Sequence, residues 1–135
     1  LESGCKRPFK AKVFSGLGEG EFYVSIYSRG FRVKLGITPY PGTLNARLVD
    51  EDVDEFNKCL NRVDGVKIDP PQIPNAKLAP VVVYPAHLNG YPVWIVRPMI
   101  TVYKRDVVEL IADVRLRDLL GLSDGSIIEI YLRDE

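Results

Sequence analysis

The chain has 135 residues, 46% of them apolar and 27% charged, with 18 basic side chains balanced by 18 acidic ones. That is enough apolar material for one core and one domain, and too much for a disordered chain. The balanced charge gives no net field to gather a nucleic-acid backbone, so nucleic-acid binding is not expected of this segment.

Residues 1–8 read as a tail or linker without the apolar core of a signal peptide. The first residue is Leu1 and not methionine, as in a fragment of a longer protein with a further N-terminal domain. No apolar run approaches the ~20 residues of a membrane-spanning helix, so a cytoplasmic protein is expected. Lys10–Phe14 and Glu21–Tyr27 both alternate at the strand period, the second placing Phe22, Val24 and Ile26 on one side. Between them lies "SGLGEG", Ser15 to Gly20. Three glycines in six residues make either a wide turn or a phosphate cradle, in which bare backbone approaches an anion and presents successive N–H groups. The loop is not a Walker motif, because Gly20 is followed by Glu21, Phe22 and Tyr23 and not by Lys-Ser/Thr. Nor does it read as a dinucleotide fingerprint, because the pattern behind it is that of a strand and not of a helix.

"GITPYPGTLNARL" gives a turn from Pro39 to Gly42 and then a strand from Thr43 to Leu48. On that strand Thr43 and Asn45 point to one side and Leu44 to the other. A hydroxyl and an amide oxygen are neutral ligands that Mg²⁺ accepts; a plain polar surface is the competing reading. In "DEDVDEFNKCLNRVDG" the spacing of Val53, Phe56 and Leu60 predicts a short helix ended by Gly65, its acidic first turn suited to the helix dipole. "IDPPQIPNAKLAP" holds four prolines and reads as a restrained loop.

"VVVYP" and "YPVWIVR" read as strands joined by the Asn89-Gly90 turn. His87, the sole histidine, is expected on the surface beside that turn. Cys5 and Cys59 belong to no Cys-x-x-Cys pair and are expected as ordinary thiols, and with one histidine they supply too few ligands for a zinc site. In "DVVELIA" Val107, Glu109 and Ile111 share one face of a strand. A carboxylate flanked by valine and leucine has to be paired or functional, because uncompensated burial is costly. Asp113 reads as the cap of a short helix through "VRLRDLL" that stops at Gly121, with Arg115 and Arg117 on a solvated face or turned to a phosphate. "SDG" then leads into a last strand, Ile127 to Leu132. The sum is six or more strands and two short helices, which suggests a small β-barrel. Glycine loop, Thr43/Asn45 pair and Glu109 could together fill the three roles that phosphoryl transfer asks of a protein: a cradle, a metal site and a proton acceptor.

The linked stretches "VFSGLGEGEFYVS", "LGITPYPGTLN", "RPMITVY" and "VVELIADVRLRDLLGLSDGSIIEI" resemble, in order and spacing, the archaeal CTP-dependent riboflavin kinases, from about Lys10 to Leu132. The resemblance implies a mainly β fold: a six-stranded cradle-loop barrel related to swapped-hairpin proteins, forming a single domain over residues 1–135. It implies the reaction of CTP with riboflavin to give CDP and FMN. Carried over by motif, Gly16, Leu17, Gly18, Glu19, Gly20 and Glu21, with Val114, Arg115, Leu116 and Arg117, would hold the nucleotide. Thr43 and Asn45 would ligate Mg²⁺, Thr101 and Glu109 would contact the flavin, and Glu109 would be the general base. A rival is a non-catalytic flavin- or nucleotide-sensing domain attached to a winged helix-turn-helix domain. The presence of Thr43, Asn45 and Glu109 favours the kinase. A swapped-hairpin DNA-binding dimer, suggested by "LGLSDGSIIEI", is opposed by the balanced charge.

Overall fold

The computed structural model describes residues 1, 3–16, 20–99 and 105–133, with residues 22 and 23 described in their backbone alone. Among the described residues seven strands occur, β1 (Phe9–Phe14), β2 (Leu44–Leu48), β3 (Val66–Ile68), β4 (Val81–Leu88), β5 (Tyr91–Pro98), β6 (Val107–Ile111) and β7 (Ile127–Leu132). Three helices accompany them: α1 (Gly20–Leu35), α2 (Val53–Leu60) and α3 (Leu116–Leu120). The sheet order is β3-β4-β5-β6-β2-β1-β7, every pairing is antiparallel, and β7 also pairs with β4. That last pairing closes six strands into a barrel, as expected, and leaves β3 as an added strand on the first half of β4. Val66–Ile68 is too short for its alternation to mark a strand in the sequence; it pairs because β4 offers Val81–Val83.

Strand alternation builds the interior. Phe9, Ala11 and Val13 of β1, Leu44, Ala46 and Leu48 of β2, Val108 and Leu110 of β6, and Ile128, Ile130 and Leu132 of β7 share one buried cluster. α2 contributes Phe56, Cys59 and Leu60 to it, and Phe56 meets Phe9 edge to face with ring centroids 5.4 Å apart. The helix ends at Leu60 with Asn61 as its C-cap, earlier than Gly65. Gly65 serves another need: a Cβ there would stand 2.3 Å from Cγ1 of Val82.

The main correction is at Glu21–Tyr27, which is the first half of α1 and not a strand. The apolar residues that matter are Val24, Tyr27 and Phe31, spaced three and four apart, all buried. They pack on the outer wall of the barrel against Ile68, Val81, Val83, Val96 and Ile111, forming a second core. Burying a side chain such as Phe31 contributes about 1.5–3 kcal/mol, so seven residues of apparent alternation are outweighed by one continuous helical face. Gly30 lets the helix approach β3, since a Cβ there would meet Ile68 Cγ2 at 2.5 Å.

Cys5 and Cys59 are joined in a disulfide, and both are buried. The thiol expectation fails because the two cysteines meet only through the tertiary fold. Asp52 accepts hydrogen bonds from Arg7 (3.0 Å) and from the backbone N–H of Lys10 (2.8 Å), drawing the N-terminal segment against the start of α2. A 3₁₀ turn at Ser3–Cys5 then delivers Cys5 to the helix. Residues 69–80 carry no helix or strand, in keeping with their prolines, and Asn89 and Gly90 take the positive φ values of a tight hairpin.

Candidate active site

The outer face of the barrel carries the polar residues that alternation turns away from the core. On β2, Leu44 and Ala46 are buried and Asn45 lies between them on the outside, with Thr43 one residue before the strand. β6 pairs with β2 in the register Asn45↔Glu109, so the two side chains are cross-strand neighbours on one face. The sequence predicted both residues but not their pairing. Burial pushes the Glu109 carboxyl above the usual carboxylate range.

Gly16 and Gly20, near the two ends of the glycine loop, lie on this same patch. A Cβ on Gly16 would stand 2.4 Å from Nδ2 of Asn45, and one on Gly20 would stand 2.6 Å from Oγ1 and 2.9 Å from the backbone nitrogen of Thr43. No side chain fits at either position without displacing the pair. Gly20 also opens α1, so the positive end of a 16-residue helix begins at Thr43. The expectation that no helix follows the loop is therefore overturned, for the reason given for α1. Leu17, Gly18 and Glu19 lie outside the described residues, as does Thr101.

Beside the patch is a cavity of about 260 Å³. Glu21, Tyr40, Gly42 and Thr43 form one side of its lining, and Val114, Arg115, Leu116 and Arg117 the other. The backbone N–H of Tyr40 donates to the Ala112 carbonyl at 2.7 Å and ties the two walls together. In the second wall Leu116 is buried and Val114 packs on the barrel core, which leaves Arg115 and Arg117 facing outward. Arg115 pairs with Asp118 at 2.6 Å, and Arg117 with Asp124 at 2.7 Å. The N-cap of α3 is Arg115 and not Asp113, which instead accepts a hydrogen bond from the Tyr91 hydroxyl. Gly121 ends the helix in the left-handed conformation, as predicted.

Sequence reasoning missed Ser15 and Asp124. Ser15 Oγ donates to Asp124 at 2.9 Å and thereby joins the Arg117 pair. The only signal was the Asp-Gly turn ahead of the last strand. His87 takes no part: it is half-buried in β4, pairs across to Pro92 and Tyr131, and stacks on the Tyr131 ring at 5.0 Å. Among the described residues, the cysteine, histidine and carboxylate side chains gather at ligand spacing at Cys5, Glu55 and Cys59, where both sulfurs are committed to the disulfide. Thr43 and Asn45 offer a different donor set, a hydroxyl and an amide oxygen beside a carboxylate, which suits a hard cation.

A family model described as "CTP-dep_RFKase: Domain of unknown function DUF120" matches residues 13–132. The chain is 53% identical over 127 residues to a protein named riboflavin kinase from Aeropyrum pernix, covering 93% of this chain and 96% of that protein. It is 41% identical to a riboflavin kinase from Staphylothermus marinus, covering 93% and 92%. A riboflavin kinase from Archaeoglobus fulgidus is also 41% identical, but this chain spans only 52% of its length.

Proposed function

We infer that this chain, which belongs to the archaeal CTP-dependent riboflavin kinase family, transfers the γ-phosphoryl group of CTP to the ribityl 5′-hydroxyl of riboflavin, giving FMN and CDP. One observation carries the reading: Glu109 stands opposite Asn45 on the outer face, with the backbone of Gly16 and Gly20 laid on Asn45 and Thr43. Cradle, neutral oxygen ligands and carboxylate thus share one small patch.

In this reading the nucleotide lies in the cavity between the glycine loop with Glu21 and the Val114–Arg117 wall, its phosphates at the N-terminus of α1. Thr43 and Asn45 would hold Mg²⁺, which when bound supplies charge neutralisation for the phosphates. Thr101 would contact the flavin. Glu109 accepts the proton of the ribityl hydroxyl, whose oxygen forms the new bond to the γ-phosphorus, while the bond from that phosphorus to the β,γ-bridging oxygen breaks and its electron pair leaves with CDP. A carboxylate whose pKa is raised by burial is a stronger base than an ordinary one. A cytoplasmic location goes with this reading, and intracellular disulfides are documented in hyperthermophilic archaea. No described helix is long and apolar enough to cross a membrane.

The test is FMN formation by the purified chain, separated by chromatography, with CTP and ATP compared and Mg²⁺ added or withheld. FMN from CTP and not from ATP is the expected result. Binding of flavin or CDP with no FMN from either nucleotide would reassign the chain to a sensing role.

A further inference from the structure

Asp124 lies in the turn between α3 and β7, outside the residues assigned so far to nucleotide, metal or flavin. Both of its carboxylate oxygens accept from Ser15 Oγ at 2.9 Å, and Oδ1 also accepts from Arg117 Nη2 at 2.7 Å. The same guanidinium nitrogen approaches the Phe14 carbonyl and Ser15 Oγ at 3.5 Å. Each partner of Asp124 belongs to a different part of the nucleotide site. Ser15 immediately precedes Gly16, whose backbone lies on Asn45, and Arg117 lines the cavity on the opposite wall.

The turn that carries Asp124 is itself held to the end of β1. Gly125 N–H donates to the Val13 carbonyl and Val13 N–H to the Ser126 carbonyl, both at 2.8 Å. The carboxylate is thus presented from a backbone anchored two residues before the glycine loop begins. Its side chain is 59% exposed, and ion pairs at that exposure contribute little to stability. What the arrangement does supply is a fixed relation between two segments far apart in sequence. The hydrogen bond from Arg117, and then that from Ser15, hold the Asp124 carboxyl below the usual carboxylate range, so it stays ionised at neutral pH.

We propose that Asp124 is a positioning residue for the nucleotide: by holding Ser15 and Arg117 together it sets the entrance of the glycine loop against the Val114–Arg117 wall, so that both close on one phosphate chain. Asp124 itself touches no substrate. The proposal rests on the nucleotide reading of the cavity given above.

The experiment compares the wild-type chain with Asp124→Ala and Asp124→Asn by calorimetric CDP binding, by separate KM values for CTP and riboflavin, and by thermal midpoint. Asp124→Ala is expected to weaken CDP binding and raise the CTP KM by about tenfold, with the riboflavin KM within about twofold of wild type. Asp124→Asn keeps an acceptor oxygen without the charge and falls between the two. The midpoint should move by no more than about 3 °C in either variant. Parallel changes in both KM values, unchanged CDP affinity, or a large fall in midpoint with unchanged kinetics would each overturn the assignment. If the wild-type chain binds CDP but forms no FMN, the kinase reading fails, and a weaker CDP affinity in Asp124→Ala still supports the positioning role. If it binds no CDP, both fall.

Discussion

Asn45 and Glu109 are directly opposed across β2 and β6, on the face of the barrel that Gly16 and Gly20 cover with bare backbone. Residues paired in this way have Cβ atoms about 5 Å apart. An amide that can hold a cation and a carboxylate that can take a proton are thus fixed by the same hydrogen-bonded ladder, and no loop has to move to bring them together.

Glu109→Gln keeps the shape and removes the proposed base, so kcat should fall by about 100- to 10,000-fold. In the wild type the acidic limb of the kcat profile should lie above the ordinary carboxylate range, because burial raises the Glu109 pKa. The sign for stability follows from the same shift. The folded protein binds the Glu109 proton more tightly than the unfolded chain, so this group's stabilising contribution is present below the unfolded pKa and is lost as pH rises through the folded one. Glu109→Gln should therefore melt higher than wild type at neutral pH and no higher at low pH. Melting curves across pH, beside steady-state rates, check both halves.

Asn45→Asp puts a second carboxylate opposite Glu109. Like charges at cross-strand distance disfavour joint ionisation, so the midpoint of the Glu109 carboxyl should rise further in the metal-free variant. A carboxyl-carbon NMR titration of wild type and variant reads this directly. An unmoved Glu109 midpoint would refute the predicted coupling.

Gly16→Ala forces a Cβ to within 2.4 Å of Asn45 Nδ2, the end of a side chain that can rotate away. The fold should survive, with a midpoint within about 3 °C of wild type. Activity should not survive so well, since the displaced amide is the proposed Mg²⁺ ligand. A fall of at least about tenfold in kcat/KM for CTP is expected, measured at several Mg²⁺ concentrations.

The Cys5–Cys59 bridge closes a loop spanning 54 residues. Chain-entropy arithmetic assigns such a loop about 4 kcal/mol. Replacing both cysteines by serine should lower the midpoint by about 10–15 °C. Turnover at moderate temperature should stay within about twofold of wild type, because the bridge joins the N-terminal turn to α2 and leaves the β2–β6 ladder alone. Melting with and without reductant, followed by an FMN assay, separates the two effects.

The elements legible in the sequence were those whose evidence is local. Alternation placed β1, apolar runs bounded by turn residues or sharing one face placed β2, β4, β5, β6 and β7, and the Asn-Gly pair placed the hairpin between β4 and β5. α1 was illegible in its first half because Phe22, Val24 and Ile26 satisfy a period of two over seven residues. Its true period appears only when Phe31 is included, and the acceptor surface for that face is built by β3 to β6, all later in the chain. Thr43, Asn45 and Glu109 could each be singled out from residue type and neighbours. That Asn45 meets Glu109 follows from the β2–β6 register, and that Gly16 rests on Asn45 from the β1–β2 register, and no local pattern encodes either. Ser15 and Asp124 were missed for the same reason, being 109 positions apart. The disulfide is a further case: each cysteine taken alone looks like any buried thiol.

β7, the last strand, bonds to β1 through Ile127–Ile130 and to β4 through Ile130–Leu132. β1 and β7 must therefore find each other before the barrel can close, and until then two strand edges stay open. Such closure is slow, because the loop entropy of most of the chain is lost before any pairing compensates it. During synthesis the barrel cannot close until β7 has left the ribosome. Removing Ile127–Leu132 would unzip both seams at once and yield a chain that collapses without a native structure.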